Sequence, residues 1–456
     1  MGEAVNSNIT DILARHQLER EGDAAWVLTS SALVLLMTPG LAFFYGGLVR
    51  DTSIINTMMM SLISMGLISI VWMLIGFSLA FGDPGGSLGW FIGNFDYCLF
   101  HGLEDMRWSD TTIWAYAFAT FQMTFAVIAA AIMSGALVER MNFGSYCVLI
   151  VFWVLLVYVP ICHWVWGAGG WLAELGCKDF AGGTVVHVSS GTSGLVAALL
   201  LGPRKHHKQE GARPNNVPFV LLGAALLWFG WSGFNGGSAL AADDEASRAL
   251  CTTYLAAAAA MIVWVVIEWA RMRQPSSVGA MVGAVAGLVV ITPAAGFVTP
   301  AGAVCMGTLG APACYFAVVA LNRCDRLDDT LDAFGLHGVG GIVGALLTGI
   351  FAEDGGLIYV IFYGSKQTGL YWKQVVGVLA GFVYSAAATA ALFCLLRAVM
   401  PVRADEHHER DGLDKAFHGE SAYSTESLHG LCGSQEQVNS DDEDSLDEDG
   451  EDGTTE

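Results

Sequence analysis

Charge is scarce in this chain. Only 14% of its 456 residues are Asp, Glu, Lys or Arg, while 54% are hydrophobic, and that balance excludes two or three soluble domains of ordinary composition. No GxxxxGK[ST] sequence occurs, so nothing supports ATP-driven pumping. Basic patches are absent, which removes nucleic acid as a partner. The ten cysteines show no metal-ligand spacing, and nothing in the chain calls for a cofactor. Residues 1–23 are polar and lack the basic-then-apolar build of a cleaved signal peptide. Gly2 is followed by Asn6 where myristoylation needs Ser or Thr.

The chain does have long apolar runs. A bilayer core takes roughly 20 apolar residues per helix, and eleven such runs are present: Ala24–Leu48, Ile54–Phe81, Thr112–Val138, Phe143–Gly170, Gly182–Gly202, Val217–Ala239, Leu250–Trp269, Ser277–Gly296, Pro300–Leu321, Phe334–Phe351 and Trp372–Val399. Backbone that leaves its amides unpaired does not survive in lipid, and the runs are too long for barrel strands, so they read as helices. The expected fold is an all-α polytopic membrane protein of eleven transmembrane helices. Counting Lys and Arg between spans orients it. With the N-terminus outside, fourteen fall on cytosolic segments and seven outside, so the N-terminus is expected outside and the C-terminus in the cytosol.

Four regions follow: an extracellular N-terminal segment (1–23), a membrane domain (24–400), a cytosolic extension (401–425) and an acidic tail (426–456). The tail holds twelve acidic residues and no basic one, so it reads as solvated and disordered and accounts for over half of the net charge of −22. Asn8-Ile9-Thr10 is a glycosylation sequon on the expected outer face. Cys98, Cys177 and Cys251 lie in or near outer segments, where a disulfide is chemically allowed. The longest insert before the extension is the outer loop Gly82–Asp110.

Two histidines, His187 and His337, stand inside apolar runs. An ionisable ring at membrane depth is costly and marks a pathway, a relay or a buried partner. They fall in the fifth and tenth runs, 150 residues apart. Five spans is an odd number, so a second five-span unit enters the membrane upside down, which is the inverted repeat common in transporters. The eleventh helix then lies outside the repeat. At helical offsets, His187 shares a face with Gly183, Thr184, Ser190, Gly191 and Gly194, and His337 with Gly340, Gly341 and Gly344. Small residues let membrane helices approach closely, so the rings can meet in a narrow, mostly apolar passage. Imidazole accepts and donates protons near neutrality, making the pair a candidate relay. The plainer alternative is two packed, hydrogen-bonded histidines with no transport role.

Aromatics supply a second feature. Trp166, Phe125 and Phe234 lie within or at the ends of spans, with Ser238 one turn beyond Phe234. Aromatic faces and a hydroxyl can replace water around a cation, although aromatics near span ends are more often interfacial anchors. Gly191-Thr192-Ser193-Gly194 also matches the GxSG of intramembrane serine proteases, with His337 as a conceivable base. Ser193 is six residues from His187, about 240° around a helix, and so faces away from the histidine stripe.

The segments GGLVR (46–50), FQMTFA (121–126), GALVERMNF (135–143), HWVWGAGG (163–170), DFAGGTVVH (179–187), GWSGFNGGSA (230–239), ITPAAG (291–296) and FGLHGVGGIVG (334–344) resemble the ammonium transporter (Amt/Mep/Rh) family, from about Trp26 to Tyr423. The resemblance implies transport of ammonium or ammonia by a homotrimer with one pore per subunit, in the plasma membrane; an intracellular membrane stays open. It implies that Trp166, Ser238 and Phe125 form an outer recruitment site, that Phe125 and Phe234 form a gate, and that His187 and His337 line the pore. Asp179 would support the recruitment region and Thr292 would sit near the inner pore. Trp166 and Ser238 are similar to the Amt branch, not the Rhesus-type branch. Residues 409–423 (ERDGLDKAFHGESAY) resemble the family's regulatory region, which reaches a neighbouring subunit and meets cytosolic regulators. Ala416 replaces the phosphorylatable threonine of plant-type members, leaving Ser421, Ser424 and Thr425 as the nearby hydroxyls. A sensor that binds ammonium without much flux is compatible with the same residues.

Overall fold

Without water to receive its amides, an apolar chain must bond them within itself, and helices do so locally. The computed structural model describes residues 2–83, 86–205 and 214–423, and among these it is helical, with two isolated bridges and no β-strand. The principal helices are α1 (Gly2–Leu48), α2 (Ile54–Phe81), α3 (Ala115–Ser134), α4 (Phe143–Leu175), α5 (Gly183–Leu201), α6 (Val217–Ala239), α7 (Asp244–Met272), α8 (Ser277–Ile291), α9 (Pro300–Leu321), α10 (Phe334–Phe351) and α11 (Leu370–Val399). Ten are long and apolar enough to cross a membrane; α8, at 15 residues, is the shorter one. Side chains before Glu19 and the acidic tail 426–456, with Ser424 and Thr425, lie outside the described residues.

Several boundaries differ from the expected ones for local reasons. Helix α1 begins well before Ala24. Helix α7 begins at Asp244, not Leu250, because the Asp243 carboxylate caps it by accepting from the Ala246 N–H. Helix α8 stops at Ile291, not Gly296, since Pro293 cannot continue the ladder. Asn142, Asn216, Ser276 and Thr299 cap α4, α6, α8 and α9 in the same way as Asp243. Cys98, Cys177 and Cys251 are all free thiols.

Large apolar side chains such as Ile70, Phe152, Phe229, Ile262, Leu309 and Val383 point outward from different helices, as a lipid-facing belt requires. The loop Gly82–Asp110 packs its aromatics against the helices beside it, with Trp108 stacked on Phe118 of α3 at 4.5 Å and Phe100 edge-on to Phe77 of α2 at 5.6 Å.

Charge is concentrated at one end. Arg140 is fully buried and donates to the carbonyls of Gly202 (2.8 Å), Ala136 (2.9 Å) and Asp328 (2.6 Å). Arg204 bridges Asp328 and Glu139, and Glu139 also takes Arg50 at 3.1 Å. The extension from residue 401 docks onto this network through two short helices, α12 (Glu406–Asp411) and α13 (Leu413–His418). Arg403 pairs with Glu409, whose carboxylate also accepts from Lys205 N–H, and Asp414 accepts from Asn56 N–H at the start of α2. Burial pushes the Asp328 carboxyl up, but Arg140 and Arg204 outweigh it and hold the group at about 2.

Removing one partner of a buried charge network leaves the others uncompensated, so Arg140→Met is expected to cost about 3–5 kcal/mol, read as a fall in thermal midpoint in detergent. Because the folded Asp328 value lies below its unfolded one, its contribution is present above about pH 4 and lost as pH falls towards 2. An acid melt of wild type with no loss of stability in that window would count against the network.

Candidate functional site

Two bonded turns place the histidines. Asp179 precedes α5, and its carboxylate accepts from the N–H groups of Gly182 (2.9 Å), Gly183 (2.6 Å), Thr184 (2.7 Å) and Val185 (3.2 Å). These are the orphan donors of a helix start, and a negative charge belongs there. The first turn of α5, Gly183–Val188, is a π-helix, and His187 N–H reaches back to the Gly182 carbonyl at 3.0 Å. Asp329 does the same for α10, accepting from Ala333 (3.0 Å), Phe334 (2.8 Å) and Gly335 (3.3 Å), and His337 lies in the π-helix Phe334–Gly338. In both halves the capping aspartate stands eight residues before its histidine. Burial pushes Asp329 up to about 6 against the pull of its three amides. Asp329 escaped the sequence reading, although the repeated Asp-to-His spacing was there to find.

Glycine then allows contact. A Cβ at Gly341 would lie 2.7 Å from the Gly183 carbonyl and 3.0 Å from His187 Cβ. A Cβ at Gly191 would collide with the backbone of Gly338 and His337. Each histidine's i+4 glycine is thus the floor on which the other histidine's turn rests. The rings meet with Nδ1 to Nδ1 at 3.2 Å and centroids 5.2 Å apart. One Nδ1 donates and the other accepts, so a single proton occupies the contact. His187 Nε2 is buried with no partner.

Rings continue in both directions. Trp231 stacks on His187 at 5.6 Å, and Phe234 at 5.9 Å. Phe234 lies 4.2 Å from Phe125, which meets Trp166 edge-on at 6.1 Å. Trp166 ends the helical run Val159–Trp166 and donates Nε1–H to the Asp179 carbonyl at 2.9 Å, so the aspartate that caps α5 also anchors this ring. Ser238 donates to the Phe234 carbonyl at 2.8 Å, leaving its oxygen lone pairs to accept. Below the phenylalanine pair, a narrow cavity is lined by His187, His337, Trp231 and Phe234 with Ile128, Leu227, Val285 and other aliphatics. Its only ionisable lining groups are the two imidazoles.

Trp231 was not singled out in the sequence, although it lies three residues before Phe234 on the same helical face. Its Nε1–H donates to Thr292 Oγ1 at 3.0 Å. Thr292 thus stands beside the ring that stacks on His187. Its carbonyl accepts from Ala181 N–H, beside the Asp179 and Trp166 end, because Pro293 turns the chain there. Thr292 orients Trp231 and does not line the cavity. Ser193 faces away from the histidines as expected, its oxygen accepting from Trp153 Nε1–H and the Thr389 hydroxyl, both at 2.8 Å. It has no histidine to activate it. Among the described residues, no cluster of His, Cys, Asp or Glu has metal-binding geometry.

A buried imidazole pair next to stacked aromatics, lining a small and otherwise apolar cavity in a bundle of membrane-length helices, suits a membrane transporter of small polar species. Residues 25–423 match the family model for the Ammonium Transporter Family. An ammonium transporter of Bacillus subtilis is 45% identical over 412 residues, covering 88% of this chain and 98% of that protein. The crystal structure of Candida albicans Mep2 superposes with a TM-score of 0.79 at 33% identity, covering 85% of this chain and 87% of that one. A structure described as a sensor Amt protein gives a TM-score of 0.79 at 31% identity, covering 88% and 99%. The chain belongs to the ammonium transporter family, and so it is not an enzyme.

Overpacking at the crossing costs about 1–3 kcal/mol, or roughly 5- to 150-fold in the population of the closed contact. Gly191→Val and Gly341→Val are therefore each expected to reduce labelled methylammonium uptake at least about fivefold per molecule at the cell surface, with both histidines intact. Wild-type uptake in either variant would show that the close crossing is dispensable.

Proposed function

We propose that this protein carries ammonium across a membrane by stripping its water, removing its proton and passing ammonia between the paired histidines. The observation that carries this reading is the 3.2 Å contact of two buried imidazoles in a cavity with no other ionisable lining. A hydrated cation reaches Trp166, Phe125 and Ser238, where ring faces and a hydroxyl offset part of the lost hydration. Phe125 and Phe234, 4.2 Å apart, close the way onward, and one of the rings must swing aside. A bare cation in the apolar section would cost several kcal/mol or more. Losing the proton removes most of that cost, and the imidazole pair supplies a chain of acceptors and donors along which a proton can follow.

The same proposal covers architecture. It has eleven spans, with α8 extended by residues 292–297 to complete its crossing, and two five-helix repeats of opposite orientation meeting at the histidines. The repeated Asp cap, π-turn and His support that arrangement. The N-terminus lies outside, the docked 401–425 extension faces the cytosol as a platform for regulators, and three copies assemble in the plasma membrane with one pore each. Asp179 and Asp329 act as positioning residues, holding turns and not substrate.

A second reading has one observation behind it, the likeness to a protein described as a sensor. Bound ammonium would then be reported through the docked extension with little flux.

His187→Ala and His337→Ala are expected to abolish selective transport or convert it into leakier cation passage. The check is current recorded with ammonium and with potassium beside wild type. Unchanged rate and ion selectivity in both variants would rule out the relay. Ammonium binding with no flux in wild type would favour the sensor.

A further inference from the structure

Between α10 and α11 the chain forms a short helix, Leu357–Tyr363, of sequence LIYVIFY. Its side chains carry no charge and no amide, and their only polar atoms are the two tyrosine hydroxyls. None of these residues is buried. Ile361, Phe362 and Tyr363 are 68%, 75% and 74% exposed, more than Phe229 or Val383 on the lipid-facing belt. A contiguous apolar patch of this kind marks a contact surface. At about 100° per residue, Leu357, Ile358, Ile361 and Phe362 share one face. Tyr359 and Tyr363 stack beside that face with ring centroids 5.0 Å apart.

We propose that Leu357–Tyr363 lies in the surface of the bilayer at the Trp166 end, its aliphatic face on acyl chains and its tyrosines among headgroups, and so seats the foot of its own loop. Both neighbouring helices are of membrane length, which keeps residues 352–369 at one membrane surface. The short helix begins six residues after α10 ends (351 to 357) and stops seven before α11 begins (363 to 370). Even extended chain of that length reaches at most about 25 Å. The helix packs against α10, and a Cβ at Gly355 would lie 3.4 Å from that of Leu370, so the two feet of the loop stand together. Half-exposed Trp372, on the first turn of α11, and exposed Lys366 are residue types that favour headgroup level. From there the lipid-facing stripe of α11 continues through Leu379 and Val383. An uncharged stretch this short offers a protein partner no polar rim, whereas tyrosines beside an aliphatic face suit the lipid boundary.

The foot of the loop joins three separate parts of the bundle. Glu353 N–H donates to the Phe297 carbonyl at 2.9 Å, and the Glu353 carboxylate pairs with Arg248 of α7. Asp354 pairs with Lys178 at 3.1 Å, and the Lys178 ammonium stands 4.9 Å over the Phe297 ring. Lys178 directly precedes Asp179, whose carbonyl holds the Trp166 indole. Each of these ion pairs is partly exposed, and such pairs contribute little alone. A helix embedded beside them in lipid keeps Glu353 and Asp354 in place.

The proposal stands whether or not the histidines carry ammonium. Its test uses full-length protein in phosphatidylcholine vesicles, with hydroxyl radicals generated by radiolysis on both sides of the membrane. Tyr363 is compared with Tyr423, which is less exposed in the protein itself but lies at the charged end. Tyr363 is expected to oxidise several-fold more slowly than Tyr423; oxidation as fast or faster overturns the proposal. A photoreactive benzoyl-phenylalanine in place of Phe362 should join covalently to phospholipid on illumination. Capture of a second chain, or of nothing, counts against lipid as the partner. In Phe362→Asp, which expels the helix from the boundary, amide exchange at Glu353 should rise several-fold while that at Thr184, bonded to Asp179, stays at the wild-type rate. Unchanged exchange at Glu353 overturns the seating of the foot. Should Phe362→Asp not reach the membrane, Ile361→Asp takes its place; should the photoreactive variant fail, the wild-type oxidation rates decide the lipid contact alone.

Discussion

Two imidazoles can touch in the middle of an apolar bundle only if the backbones carrying them come almost into contact, and that approach constrains everything around it. Gly191 and Gly341 admit the opposing turns, and no side chain larger than hydrogen fits either place without movement. Close approach has a consequence for hydrogen bonding. A helix beginning beside a buried crossing leaves amides that neither lipid nor the partner helix can satisfy, and Asp179 and Asp329 take up those donors. The π-turns belong to the same solution, since the wider turn sets each ring against its counterpart.

From this centre, support spreads outward along bonded atoms. Asp179 does two things with different atoms: its carboxylate caps α5 and its carbonyl holds the Trp166 indole. Thr292 holds Trp231, which stacks on His187. The aromatic column from Trp166 through Phe125 and Phe234 to the histidines therefore hangs on a few polar atoms outside it. Those bonds fix the orientation of the rings in advance, as a preorganised site requires.

At the charged end, the same economy ties the extension from residue 401 to the turn that carries His337. Asp328 receives Arg204 and, through its carbonyl, Arg140, while the adjacent Asp329 caps the helix of His337. Arg403 and Glu409 join the extension to the chain around residues 201–205. The extension is thus connected to the helix of His337 by part-buried polar contacts, not by loose surface pairs, which are worth little.

Sequence by itself determined the class of fold and the chemistry of the centre. Apolar runs of membrane length can only be helices, and paired histidines in such runs need a partner. Their spacing of 150 residues, in the fifth and tenth runs, already suggested an internal repeat. Local effects moved the edges: the Asp243 cap lengthened α7, and Pro293 shortened α8. What only the tertiary structure decided was which atoms meet. Helical offsets assume a regular turn, so they could not place a ring carried on a π-turn. Nor could one strand of sequence show that Thr292 lies beside Ala181, or that the His163 ring is flanked by Ala80 and Gly89. Those contacts join residues 74 to 111 positions apart, and chain crossing sets them, not local periodicity.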